Sequence, residues 1–227
     1  MSNSILYNLF SKYRGLSRDS GGTRELSSGI ISDRIRNDAI GLVKDLFKDG
    51  RLVEVGCGEG LLLEAVNLSQ DKSIFFGVDR ESKMIERSIN RLAGKNSPVS
   101  LLRGIGNMLP LRNESIDMVV CVNTFYNQPS FNDVVKIIEE MARICKTGGY
   151  IVFDIRNSFN PCIYLAYQYV MLYDPTCKAL PLHTHSFIKT AKVLNSLGLR
   201  IVKRKGVFTP SWLLAPAIVF GAHKVKV

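Results

Sequence analysis

The residue types with the most chemical capacity gather in one run, Val53–Gly60 (VEVGCGEG), and at Asp79. Gly56, Gly58 and Gly60 stand at alternate positions, and without Cβ atoms they let the main chain turn sharply and come close to a ligand. The run follows a segment that reads as a strand and precedes one that reads as a helix, which is where open α/β sheets hold ligands. A dinucleotide fingerprint, G-x-G-x-x-G, would need glycine at position 61; Leu61 stands there, which disfavours a pyrophosphate. Asp79 ends the next strand, so its carboxylate lies beside the first turn and can accept hydrogen bonds from both hydroxyls of a ribose. Glu54 puts a second carboxylate just ahead of the glycines, where it can face a ligand ammonium group. A tight turn alone would account for the glycines, a helix cap for Asp79 and a nearby Lys or Arg for Glu54. All three at this spacing point to a ligand instead.

The surrounding elements must position these residues. Ile35, Ala39, Leu42, Val43, Leu46 and Phe47 recur at spacings of three and four, which predicts a helix capped by Ser32 or Asp33 and stopped at Asp49-Gly50. Strands are predicted over 51–55, 73–78, 98–104, 115–122 and 150–155, with helices from about Leu61, over Ser82–Leu92 and over Asn132–Ile144. Near-continuous apolar strands that alternate with helices require a parallel sheet covered on both faces. The stretch 157–185 is aromatic-rich and lacks clean periodicity; a helix over Ser186–Leu197 and a hairpin of strands near 199–206 and 216–224 follow it. The expected organisation is a helical extension over 1–50 that caps the substrate side, then a main domain over 51–227 with 157–185 inserted.

Composition narrows the function classes. The 227 residues are 46% apolar and 22% charged, ordinary globular usage that excludes wholesale disorder and fibrous repeats. The longest apolar runs, Ile163–Tyr173 and Trp212–Ala222, are shorter than the roughly 20 residues a membrane span needs. No signal peptide is read, so a soluble cytoplasmic protein is expected. Cys57, Cys121, Cys145, Cys162 and Cys177 form no CxxC pair, which argues against a disulfide framework and against a zinc site; no metal is expected. Lys and Arg outnumber Asp and Glu by 30 to 20, a net charge of +10, and no acidic residue follows Asp174. A one-sided positive field suits an anionic partner such as an acidic metabolite, an anionic lipid surface or nucleic acid. A solvated basic face accounts for it as well, and no aromatic base-stacking pattern interleaves these residues.

With the glycine run, Asp79 and the element order in place, the sequence resembles the class I S-adenosylmethionine-dependent methyltransferases, in particular the branch that acts on small molecules such as quinone precursors. VEVGCGEG is similar to that family's first motif and GVDRESKMIERS (77–88) to its second strand and following helix. NMLPLRNESIDMVV (107–120) is similar to its Leu-Pro-x-x-x-x-Ser-Phe-Asp segment, and ICKTGGYIVFDIRN (144–157) to its Lys-Pro-Gly-Gly turn and fifth strand. The resemblance implies a Rossmann-like three-layer α/β sandwich with a seven-stranded, mostly parallel sheet whose last strand is antiparallel. It also implies S-adenosyl-L-methionine as cofactor, with S-adenosyl-L-homocysteine as product, lying across the first strand ends. On matching positions, Glu54, Gly56, Cys57, Gly58 and Gly60 form the loop around the methionine part, Asp79 holds the ribose, and Arg80 and Met84 flank the adenine. Gly106, Asn107 and Met108 contact the adenine edge, and Asn123 faces the methionine carboxylate or methyl group. Two positions depart from the pattern: Ile105 replaces an aspartate that commonly binds the adenine amino group, and Thr147-Gly148-Gly149 lacks the usual proline. The second departure costs little, because the glycines supply the positive φ angles.

The family's in-line displacement at a sulfonium methyl mainly needs alignment and exclusion of water, so no catalytic residue is assigned. If the acceptor is a hydroxyl, His183, His185 and Tyr126 are the candidate bases; a structural role for each fits equally. The acceptor pocket falls to 1–30 and 157–185, where Phe159, Tyr164, Tyr167, Tyr169 and Tyr173 suit an apolar or aromatic small molecule, or else pack into the core. Arg156, with Arg14, Arg18 and Arg24, can hold an acidic group on it. Nucleic-acid methylation is possible but not favoured: the fourth strand is followed by VNTFYN rather than Asn/Asp-Pro-Pro-Tyr, and no RNA-binding module is appended. A non-catalytic cofactor-binding subunit is the other alternative. The oligomeric state stays open.

Overall fold

Strands whose consecutive residues are all apolar have no face to give to water, and the architecture follows from that demand. A computed structural model describes residues 30–67, 73–94, 99–169 and 182–226. In chain order these form α1 (Ile30–Leu46), β1 (Arg51–Val55), α2 (Leu61–Asn67), β2 (Ile74–Asp79), α3 (Ser82–Leu92), β3 (Val99–Arg103), β4 (Ile116–Cys121), a 3₁₀ turn (Phe125–Asn127), α4 (Phe131–Ile144), β5 (Cys145–Arg156), α5 (Pro161–Gln168), α6 (Phe187–Ser196), β6 (Leu199–Gly206) and β7 (Ala217–Lys224).

The strands make one seven-stranded sheet in the order β3-β2-β1-β4-β5-β7-β6. β1 pairs in parallel with β2 and β4, β2 with β3, and β4 with β5, while β7 runs antiparallel to both β5 and β6. This is the expected mostly parallel sheet with an antiparallel last strand. Successive strand residues point to opposite faces, and the core divides accordingly. Leu52, Phe75, Met118, Val120, Val152 and Val219 pack under α1, α2 and α3. Val53, Val119, Cys121, Ile151, Phe153 and Phe220 pack under α4 and α6. The result is three layers, with the strand order reversing between β1 and β4, which opens a crevice at their carboxyl ends.

Two local expectations need correction. Ser32 and Asp33 do not cap α1; they lie inside its first turns, because the helix already runs from Ile30. The Lys-Thr-Gly-Gly segment is not a turn ahead of the fifth strand but part of β5, which begins at Cys145. Of its glycines only Gly148 has a positive φ, at 86°. Gly149 is needed for space: a Cβ there would lie 2.8 Å from the Asp117 carbonyl oxygen.

Within 157–185, α5 starts at Pro161 with Asn160 as its cap, the side-chain oxygen accepting from Ile163 N at 2.9 Å. Tyr173 and Cys177 lie outside the described residues, as do Arg14, Arg18 and Arg24. Just after β5, Asn157 is fully buried and its Nδ2 donates to the carbonyls of Trp212 (3.2 Å), Leu213 (2.9 Å) and Ala215 (3.0 Å). One amide thus fixes the β6–β7 connection against the strand ends. Asn157→Ala should lower stability by about 2–4 kcal/mol, because it strands buried carbonyls; the shift in denaturant midpoint measures this.

Candidate functional site

The crevice is built from the β1–α2 loop upward. Gly56 N and Cys57 N both donate to the Val78 carbonyl, at 2.7 and 3.1 Å, tying the loop to β2. Gly56, Gly58 and Gly60 have φ of 74°, 51° and 78°, a region that other residues enter only with strain. The glycines nevertheless differ in what surrounds them. A Cβ on Gly56 would lie 2.3 Å from Thr124 Oγ1, and one on Gly60 would lie 2.5 Å from Ser88 Oγ. Around Gly58 a Cβ would meet nothing within 4 Å. Gly56 and Gly60 therefore let the loop pack against its own protein, and Gly58 is the one that faces open space.

Asp79 at the end of β2 accepts from Gly58 N through Oδ2 at 2.8 Å and from Glu81 N through Oδ1 at 2.9 Å. Both bonds come from main-chain donors, and each carboxylate oxygen keeps further acceptor capacity. Glu59 is buried and anchors the loop to α3 through Arg87 Nη1 at 2.7 Å. Sequence reasoning gave no role to Glu59 or Thr124; both contacts join residues far apart in sequence.

Glu54 is only 4% exposed, and its Oε2 has no hydrogen-bond partner among the described residues. Burial pushes its carboxyl up to about 8, aided by the nearby Asp79 charge and opposed by Arg36 and the Leu63 N–H. The Lys or Arg partner that would have explained Glu54 as a structural residue makes no direct hydrogen bond to that oxygen. Cys57 is buried, its sulfur near Gly77 and its thiol pushed up by desolvation, so it offers the loop main chain only.

Across the crevice, Arg80 is exposed and pairs with Glu81 at 3.3 Å, and Met84 is half-buried in the first turn of α3. A Cβ on Gly106 would lie 3.3 Å from Val55 and Ile137, which puts the segment Gly106–Met108 beside the end of β1 with Asn107 and Met108 exposed. Arg143 fixes this segment by donating to the Leu109 and Leu111 carbonyls, and Leu109 N donates to Glu140 at 2.8 Å.

Asn123 and Arg156 are placed differently from expectation. Asn123 has φ 57°, and its side chain is committed at both ends: Nδ2 donates to the Ser32 carbonyl at 3.1 Å, and Oδ1 accepts from Arg156 Nη2 at 2.9 Å. Arg156 is 1% exposed and pairs with buried Asp154, donates to Tyr167 and Ser32, and lies 4.5 Å from the Tyr126 ring centroid. It is a buried tie between α1, β4, β5 and α5, not an exposed clamp for a substrate acid. His185 is likewise buried, with Nε2 2.9 Å from the Phe125 carbonyl and burial holding its pKa low. With that nitrogen donating to a carbonyl, His185 is a neutral structural group. Tyr126 is half-buried beside Tyr167, under Arg156.

Residues 53–153 match the family described as "Methyltransferase domain". The ubiquinone biosynthesis O-methyltransferase of Bordetella avium is 31% identical over 156 residues, which cover 64% of this chain and 59% of that protein. The chain thus spans less than two thirds of that relative's length. Among solved structures, magnesium protoporphyrin IX methyltransferase from Synechocystis with bound SAH superposes with a TM-score of 0.67 at 15% identity, covering 96% of this chain and 98% of the other. A geranyl diphosphate methyltransferase in complex with SAM gives 0.64 at 15%, covering 84% and 85%. The fold is the Rossmann-like fold of these solved methyltransferase structures, and residues 53–153 are similar to the methyltransferase domain family.

The buried carboxyl makes a pH prediction. An unfolded glutamate ionises near 4.5 and Glu54 in the fold near 8, so between those values the folded chain holds the extra proton. Stability therefore falls as pH rises through that window, with a slope of up to about 1.4 kcal/mol per pH unit from this group. Thermal unfolding between pH 5 and 8 should show a slope in the native protein that Glu54→Gln flattens.

Proposed function

We propose that this protein transfers the methyl group of S-adenosylmethionine to a small organic acceptor. The observation that carries the reading is a buried carboxyl oxygen, Glu54 Oε2, with no hydrogen-bond partner among the described residues, beside a loop whose Gly58 faces open space. An α-ammonium group satisfies that oxygen, and the missing Cβ leaves room for the methionine chain along Gly56–Gly60. Asp79, already fixed by two main-chain donors, presents its remaining lone pairs to the ribose hydroxyls. Arg80, Met84, Gly106, Asn107 and Met108 line the base. Bound S-adenosylmethionine supplies a methyl group on a cationic sulfur, with a neutral thioether as leaving group.

The chain's own part is to bind, align and exclude water. Asn123 acts through its left-handed main chain at the end of β4, since its amide is committed to Ser32 and Arg156. No base is assigned, and the burial of His185 favours a reaction in which the acceptor loses its proton without that residue. The quinone-pathway name of the relative, together with exposed Phe159, Tyr164, Leu165 and Tyr169 on and beside α5, supports an apolar or aromatic acceptor.

Calorimetry with S-adenosylhomocysteine tests the reading. At pH 7 Glu54 starts protonated and must ionise to meet the ammonium group, so binding should release close to one proton. The heat should then depend on the buffer's ionisation enthalpy, and Glu54→Gln should remove that dependence. Asp79→Ala should weaken binding about tenfold or more, because a hydrogen bond to a charged group is worth roughly 1.5–3 kcal/mol. Full affinity in Asp79→Ala, or no proton release in the native protein, would overturn the site as drawn. Methyl transfer itself is read by incubating the protein with methyl-labelled cofactor and fractionated extract; label should move to a small, solvent-extractable product.

A further inference from the structure

Beyond the end of β3 the chain makes a small turn whose tip carries one unengaged polar group. Gly104 N donates to the Asp79 carbonyl at 3.0 Å, so the turn begins directly beside the residue proposed to hold the ribose. Met108 N donates to the Ile105 carbonyl at 3.0 Å, which closes Ile105–Met108 into a four-residue turn with Gly106 and Asn107 at its tip. A Cβ on Gly106 would lie 3.3 Å from Val55 and from Ile137, so that residue is packed inward. Ile105, Asn107 and Met108 are exposed around it, Ile105 at 46% and Met108 at 70%.

No Asp or Glu stands between Gly104 and Asn113. The acids on the neighbouring elements are engaged. Glu81 pairs with Arg80 at 3.3 Å, and Asp133 accepts from Ser130 Oγ at 2.7 Å. Glu140 accepts from Leu109 N at 2.8 Å and pairs with Arg143 at 2.7 Å. The Asn107 amide has no hydrogen-bond partner among the described residues. Ile105 and Met108 offer apolar area to a base, but apolar area does not tell one base edge from another.

Adenine and hypoxanthine differ at one edge. Adenine presents a donating amino group beside an accepting ring nitrogen; hypoxanthine presents an accepting carbonyl beside a donating ring nitrogen. An ionised carboxylate only accepts, so it favours the amino group and opposes the carbonyl. A carboxamide carries an acceptor and two donors on one planar group, and a half-turn about its last bond exchanges them. With no partner in the protein to fix its orientation, the Asn107 amide can match either edge.

We propose that Asn107 is the residue that reads the base of the cofactor, and that the site therefore accepts hypoxanthine nearly as well as adenine. The inference rests on the cofactor reading given above. It adds which side chain meets the base edge and what that side chain fails to reject.

Calorimetry on the full chain with S-adenosylhomocysteine and S-inosylhomocysteine tests it. In the native protein the two Kd values should agree within about threefold, because either base finds one donor and one acceptor on the amide. Asn107→Asp keeps the shape of the side chain and removes its donors. S-inosylhomocysteine should then bind about tenfold or more weakly relative to S-adenosylhomocysteine. Asn107→Ala should weaken both ligands alike, by about fivefold. Because Asn107 is exposed, thermal unfolding of each variant should match the native chain. The proposal is overturned if the native protein binds S-adenosylhomocysteine but prefers it by more than about tenfold, or if Asn107→Asp leaves the native ratio unchanged. Unaltered affinity for both ligands in Asn107→Ala overturns it as well. If S-adenosylhomocysteine itself does not bind the native protein, the cofactor reading falls and takes this inference with it.

Discussion

No Cβ fits between Gly56 and Thr124, and the rest of the crevice depends on that closeness. Because the loop lies against the start of the segment after β4, its amides reach back to Val78, and Gly58 N is delivered to Asp79. Gly60 repeats the constraint on the other side, against Ser88 of α3. A bulkier residue at either point would push the loop off β2 and α3, and the spacing between Glu54 and Asp79 would change with it. The open position, Gly58, is held by its neighbours' lack of side chains as much as by its own.

Two carboxylates in this small region are treated in opposite ways. Asp79 is surrounded by N–H donors and needs no counter-ion. Glu54 is desolvated and has one oxygen without a hydrogen-bond partner among the described residues, an arrangement that costs stability. Two strands away in the sheet, on β5, Asp154 is equally buried but is matched by Arg156. The fold therefore neutralises the buried acid that ties its elements together and leaves open the one that faces the crevice, which is the pattern expected of a binding group rather than a structural one.

Much of this was readable from the sequence, for physical reasons. Strands buried on both faces show as unbroken apolar runs, so β1, β2 and β4 fell close to where they were predicted, and α3 occupies Ser82–Leu92 as expected. The glycine run and Asp79 were visible because local backbone geometry demands those residue types. Arg156 and His185 were not, because their environment is made by distant segments. Arg156 meets Ser32, 124 positions away, and His185 meets Phe125, 60 away. An arginine or histidine near a strand end reads as functional until such partners are known. The start of β5 was missed because Gly148 and Gly149 read as a turn, whereas pairing of Cys145 with Ile116 carries the strand through them.

The position of β7 has one more consequence. It lies between β5 and β6, hydrogen-bonded to both and buried along most of its length, although it follows them in the chain. While the protein is being made, β5 stays an open edge and β6 has no neighbour until the segment after Pro216 leaves the ribosome. Chains caught at that stage expose an apolar strand edge to one another. The order in which β6 and β7 join the sheet therefore bears on how readily the chain reaches its native fold.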